Sequence, residues 1–380
     1  MKKPPGARLV FLDLLRGWAI LVMMETHVFN TLLDPSIKAT WWFRYLTFFN
    51  GLVAPSFLFV SGWVFLAASR RKLDEFRQFG PAFRRQSGRI LLIWGLGYAL
   101  HLPFYSYSRT KACATSLDWL RFCQMDILHC IAAGLALLLM TRIFIKDDRA
   151  LERILLTTGI GTVVLTPFLA RIDFMNSMPA AVGLYLQEQS YSYFPLFPWV
   201  GFLLLGGFAA MAYQRWIANG KERNLMILFG LVGLEFVLAG IVFWELPGFI
   251  PYTSPRITVN PFFFGLRLGC VMLLLFGCWQ YAQKWPDKAI HVREISRESL
   301  LVYVLHILII YRLSRDNQSF SSAYGNSLTL WESTAFLAGL VFLMWPAARI
   351  WTSLKQWSLK RSRSMAYSAA LLAILLFFLN

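Results

Sequence analysis

Charge is scarce in this chain. Only 15% of its 380 residues are Asp, Glu, Lys or Arg, against about a quarter in soluble domains. With 57% hydrophobic residues, that shortage excludes an ordinary soluble protein. Acidic residues are the scarcer sign, 20 against 37 basic, for a net charge of +17. Such an excess could mean nucleic-acid binding, but the basic residues cluster in short loops between apolar runs, which is the positive-inside pattern of a membrane protein. No nucleic-acid partner is expected. Cysteine is also sparse. Cys113, Cys123, Cys130, Cys270 and Cys278 lack CxxC or Cys/His spacing, so no metal site is expected. Cys113 and Cys123 could pair in an oxidising compartment, and buried free thiols are the other reading. MKKPPGAR resembles the start of a signal peptide, but no small-x-small cleavage site closes the long apolar run after it, so the first helix is read as retained. The gaps are too short for a soluble domain, and no internal repeat stands out.

What the chain has is long apolar runs, many exceeding the 18 or so residues that mark a transmembrane helix. They predict an all-α polytopic membrane bundle of eleven spans, ten being the alternative. The spans are read at 9–33, 41–68, 88–107, 125–145, 152–171, 195–214, 224–245, 262–283, 298–313, 331–352 and 364–379. SRRKLDEFRQFGPAFRRQSGR carries seven basic residues and two acidic ones, and it alternates with less basic loops such as QEQSYSYFP and DNQSFSSAYGNS. That alternation predicts a cytoplasmic N-terminus. One membrane domain over 1–380 is expected, in the multi-pass plasma (bacterial inner) membrane, with lipids around it and a homodimer left open.

Inside these spans lie ionisable residues that hydrocarbon penalises, and such residues usually mark a site. RLVFLDLLRGWAILVMMETH holds Asp13, Arg16, Glu25 and His27. Arg16 and His27 are eleven residues apart, so at 100° each they fall within about 20° of one face. The rise between them is about 16 Å. Asp13 shares that side, and Glu25 points away. Further along, Asp126 and His129 (i, i+3) share a face at the start of the fourth span. Arg267 sits in the eighth, and Ser299, Tyr303 and His306 share a face of the ninth. A lone polar residue in a bundle often makes only a helix–helix hydrogen bond worth about 1 kcal/mol or less. That reading is kept for Glu235, His101 and Arg267, and Arg84, Arg85 and Arg89 could be topology charges alone.

LDLLRGWAILVMMETH resembles the first helix of acyltransferase-3 membrane proteins, in which Asp-x-x-Arg-Gly is followed by a His eleven residues after the Arg. FNGLVAPSFLFVSGWVFLAAS, MDILHCIAAGLALLL, YFPLFPWVGFLLLGGF and SRESLLVYVLHILIIY resemble segments of bacterial relatives of heparan-alpha-glucosaminide N-acetyltransferase. The resemblance runs from residue 8 to about 313 and leaves the last two helices, 331–352 and 364–379, peripheral. The heparan-type enzymes carry their proposed catalytic His before the second span, where this chain reads IKATWWFRYLTFFNG without one. The catalytic role is therefore carried onto His27.

The resemblance implies a cytoplasmic acyl donor, usually acetyl-CoA, and a glycan or amino-sugar acceptor on the far side. CoA phosphates need cations, and guanidinium suits them. Arg8, Arg16, Arg84, Arg85 and Arg89 are the candidates. Transfer to a hydroxyl or amine needs a base working near neutral pH, for which histidine is the usual choice. His27 is that candidate, as base or acyl carrier, with Asp13 orienting a cation and Asp126 and His129 in support. His306, Tyr303, Trp199 and Arg267 are the acceptor-binding candidates. A proton-coupled transporter or glycan flippase is the alternative, since buried charges suit coupling too, although paired Gly/Pro-broken helices are not seen. A non-catalytic partner in a glycan-assembly complex is the third.

Overall fold

The computed structural model describes residues 9–186, 192–243, 259–285, 290–312, 314–315 and 318–379. Arg8 lies outside them. The main helices are α1 (Val10–Leu32), α2 (Trp41–Asn50), α3 (Val53–Ser69), α4 (Pro81–Leu100), α5 (Ile127–Phe144), α6 (Asp148–Leu169), α7 (Leu196–Ala218), α8 (Glu222–Phe243), α9 (Pro261–Lys284), α10 (Ile290–Arg297), α11 (Ser299–Tyr311), α12 (Leu330–Trp357) and α13 (Leu359–Leu379). Short helices lie between some of them, among them Pro35–Lys38, Tyr107–Cys113 and Ser116–Phe122. The β-structure among the described residues is slight: a two-residue antiparallel pair, Ser314–Arg315 with Gln318–Ser319, and an isolated bridge between Leu33 and Leu328. The protein is an all-α polytopic membrane bundle.

Among the described residues, eight helical stretches are long and apolar enough to cross a membrane. The remaining three predicted spans are helices as well. α1 and α4 each carry three or more charged residues, and α11 has only 13 residues. Two of the spans depart most from those read in the sequence. The span placed at 88–107 is a helix over Pro81–Leu100. It starts early because Gly80-Pro81 puts proline at the first helical position, where its missing N–H costs nothing. It stops early because Pro103 biases the residue before it away from helix. The span placed at 41–68 is interrupted at Gly51 and Leu52, which separate α2 from α3. All five cysteines are free, with Cys113 exposed and Cys130 buried, so the Cys113–Cys123 pairing is not formed.

The chain divides into two compact units. The first comprises Ala54–His101 and Ser116–Gln280. In it α7 packs extensively on α6 and crosses α3 closely, where a Cβ at Gly62 would overlap the Leu203 carbonyl and one at Gly206 would overlap that of Phe59. Each helix therefore needs glycine at its contact, the small-residue packing that membrane helices use in place of hydrophobic drive. Trp63, fully buried, packs against Tyr213 at 5.4 Å and Phe229 at 6.1 Å between ring centres. The Glu222 carboxylate ties α7 to α9 by accepting from the Tyr213 hydroxyl (2.7 Å) and the Trp279 indole (3.1 Å).

The second unit comprises Leu9–Val53, Leu102–Thr115 and Tyr281–Asn380. α1 packs there against α10, α11 and α12. Gly17, the glycine of LRGW, makes room for Val292 of α10, whose side chain a Cβ would overlap. Buried Glu298 at the start of α11 accepts from Thr352 Oγ1 (3.0 Å) and Lys355 Nζ (2.5 Å) of α12. Glu294 of α10 accepts from the Trp345 indole at 2.9 Å. These contacts set the position of α11.

The far end of α1 is held as firmly. The last carbonyls of a helix lack intrahelical partners. Here Thr31 O accepts from Asn326 N and Leu32 O from Leu328 N, both at 2.9 Å, and Asp34 N returns to Leu328 O at 2.9 Å. Asn326 adopts φ 58°, a left-handed conformation that asparagine tolerates. Lys38 Nζ closes the corner on Asn30 O and Asn326 Oδ1, both at 2.6 Å. Burial pushes the Lys38 ammonium below its ordinary pKa, and nearby Asp34 acts in the opposite sense.

Candidate active site

α1 is a continuous helix, so the stripe expected from spacing is physically present along it. Asp13 is buried and Arg16 half-buried near its start, and His27 is half-buried near its end. Glu25, off that stripe, meets Asn50 Nδ2 of α2 at 3.4 Å.

His27 has company of its own chemical kind. His306 of α11 places its ring 5.2 Å from that of His27, tilted by 49°. Tyr303, one turn before His306, stands edge-on to it at 5.6 Å. A carbonyl can only accept, so the 2.8 Å contact between His306 Nδ1 and Val302 O assigns the Nδ1 proton. Its Nε2 is then the acceptor nitrogen of the neutral ring. That atom is buried with no hydrogen-bond partner among the described residues.

Two residues not expected from the sequence complete this cluster. The Tyr311 hydroxyl lies 3.2 Å from His27 Nδ1 and 2.6 Å from Thr31 Oγ1. Its ring stands edge-on to the imidazole at 5.8 Å and 87°. Thr31 had a signal in the sequence, being one turn after His27 on the same face. Tyr311 had little, because a tyrosine at a span end reads first as an interface aromatic.

The first unit holds the other candidates in three groups. Asp126 is the N-cap of α5, and its side chain accepts from Ile127 N at 2.6 Å. His129 Nδ1 accepts from Asp126 N at 3.2 Å, closing a capping box. The His129 ring is fully buried, lies against Gly97 of α4, and sits 4.3 Å from Tyr98 and 6.4 Å from His101. His101 itself donates from Nδ1 to Gly97 O at 2.7 Å. In the second group, the Arg267 guanidinium stacks on Phe263 at 4.3 Å and on Trp199 at 5.4 Å. Arg84, Arg85 and Arg89 are exposed on the first turns of α4, with Arg85 3.7 Å from Glu75.

His27 and His101 are both half-buried and each has one nitrogen engaged, but His101 returns to the backbone of its own helix whereas His27 meets a side-chain hydroxyl of another helix. A half-buried imidazole with one nitrogen fixed by a hydroxyl can accept or hand on a proton through its other nitrogen. No group of three or more His, Cys, Asp or Glu side chains placed to hold a metal occurs among the described residues.

No curated relative matches the chain. The family model of the heparan-alpha-glucosaminide N-acetyltransferase catalytic domain matches residues 8–235, more than half of the sequence, and takes in α1 with its Asp13, Arg16 and His27. The chain belongs to the heparan-alpha-glucosaminide N-acetyltransferase family of transmembrane acyltransferases.

Proposed function

We propose that the chain moves an acetyl group from cytoplasmic acetyl-CoA to a hydroxyl or amine of a glycan on the opposite side of the membrane, with His27 as the base. The observation that carries this reading is the hydrogen-bonded, half-buried His27 facing His306 inside an acyltransferase family member. In direct transfer, His27 removes the proton from the acceptor as its oxygen or nitrogen bonds to the thioester carbon. The carbon–sulfur bond then breaks, and His27 returns the proton to the departing thiolate. Because Nε2 of His306 can only accept, that residue is suited to orient the donor hydrogen of the acceptor. Arg267 and Trp199 are proposed as further acceptor contacts, and Tyr303 as support for His306. Arg16 and the exposed Arg84, Arg85 and Arg89 are proposed as cations for the CoA phosphates, each to be tested singly.

The reading is tested by measuring transfer of radiolabelled acetyl from acetyl-CoA to a panel of oligosaccharides, with protein in liposomes. His27→Asn, which keeps a polar group beside Tyr311, is expected to lose transfer while still inserting and folding. Full activity in that variant would sink the assignment. Labelled acetyl trapped on His27 would favour an acyl-carrier role over direct transfer.

A further inference from the structure

We propose that Tyr311 and Thr31 are positioning residues that hold His27 in one tautomer, with its proton on Nδ1 and Nε2 left as the basic nitrogen. The proposal rests on the reading of His27 as the transfer base.

The three groups form a short chain, His27 Nδ1 to the Tyr311 hydroxyl at 3.2 Å and on to Thr31 Oγ1 at 2.6 Å. A phenol has one hydrogen and can both donate and accept, so the chain can run in two senses. In the first, His27 Nδ1–H donates to Tyr311, and Tyr311 donates to Thr31. Nε2 then carries a lone pair and can act as a base. In the second, Thr31 donates to Tyr311, Tyr311 donates to Nδ1, and the ring proton sits on Nε2, where no base remains.

Chemistry separates the two. When Nε2 takes a proton, the imidazolium carries hydrogen on both nitrogens and Nδ1–H needs an acceptor. The first sense already supplies the Tyr311 oxygen, so no group has to turn during transfer. The second would set two hydrogens against each other. A donor–acceptor chain also polarises along its length, and the Tyr311–Thr31 contact leaves the phenol oxygen a better acceptor for Nδ1–H. The framework is rigid at both ends. Thr31 lies in the last turn of α1, whose carbonyls are held by Asn326 and Leu328, and the Tyr311 ring is packed edge-on to the imidazole.

The test uses the full chain in lipid bilayers. Removing the hydroxyl in Tyr311→Phe should lower kcat by about tenfold or more, in keeping with the share that general-base catalysis supplies, and leave KM for acetyl-CoA within about twofold. Thr31→Val should lower kcat by less, and Thr31→Ser should recover it. Nitrogen-15 NMR of histidine-labelled protein should show His27 protonated at Nδ1, and a mixed or Nε2–H state in Tyr311→Phe. Wild-type kcat in Tyr311→Phe, with His27→Asn inactive, overturns the positioning role, as does an Nε2–H signal in the unmodified protein. Full activity in His27→Asn overturns the base reading itself.

Discussion

His27 and His129 began as the same kind of observation, a histidine near the end of a predicted span with polar neighbours at helical spacing. Their surroundings differ in kind. His129 is fully buried, its Nδ1 is engaged by the N-cap backbone of its own helix, and its ring lies against Gly97. His27 is half-buried and reaches across to another helix through a hydroxyl. The first histidine closes a local hydrogen-bond deficit at a helix start, a requirement every helix has. The second meets no such local need, and its contacts are of the type that orient an acid or base.

The contrast can be broken most directly at His27. His27→Ala should lower acetyl transfer by about a thousandfold, within the span that acid–base catalysis contributes, with little change in thermal stability. Loss of activity traced only to unfolding would remove the distinction. The next largest effect is on stability. Glu298→Ala leaves Lys355 without its partner and frees α11, the helix of His306 and Tyr311. Breaking a buried pair costs about 3–5 kcal/mol, and a denaturation series in detergent should show it. The pair is partly open on the lysine side, which places the expected value at the lower end. Asp126→Ala should be milder, about 1 kcal/mol for a lost N-cap, read as a lower melting temperature. A fall in kcat beyond the loss of folded protein would put Asp126 and His129 back into the chemistry. Smallest is Arg267→Leu, which removes the contacts with Phe263 and Trp199, worth about 0.5–1 kcal/mol for a half-buried guanidinium. An acceptor-specific rise in KM in that variant would sharpen the case for an acceptor contact.

The helices were legible because their cause is local. Apolar length and basic loops follow from the bilayer, and each predicted span overlaps an observed helix. The Asp13–Arg16–His27 stripe was legible for the same reason, since one helix supplies its whole geometry. Glu25 pointing away, now seen at Asn50, followed from the same turn angle. Tyr311 was not legible because its partner lies 284 residues away in the sequence, and no local pattern announces a tertiary contact. The role of Gly17 was hidden likewise. Its place in LRGW is visible, but its reason, the approach of Val292, belongs to packing. The early end of α4 could have been read from Pro103, whose effect the apolar run obscured.

The distance in sequence between His27 and Tyr311 has a consequence for how the protein is made. The family match ends at residue 235, whereas Tyr311 and His306 come later. At roughly 5–20 residues per second of synthesis, the ribosome delivers the phenol tens of seconds after the imidazole. During that interval the nascent chain holds a histidine whose hydroxyl partner has not yet been translated. On the role proposed for Tyr311, a polypeptide released before the late helices are inserted keeps the family's signature while lacking the hydroxyl that would orient its histidine.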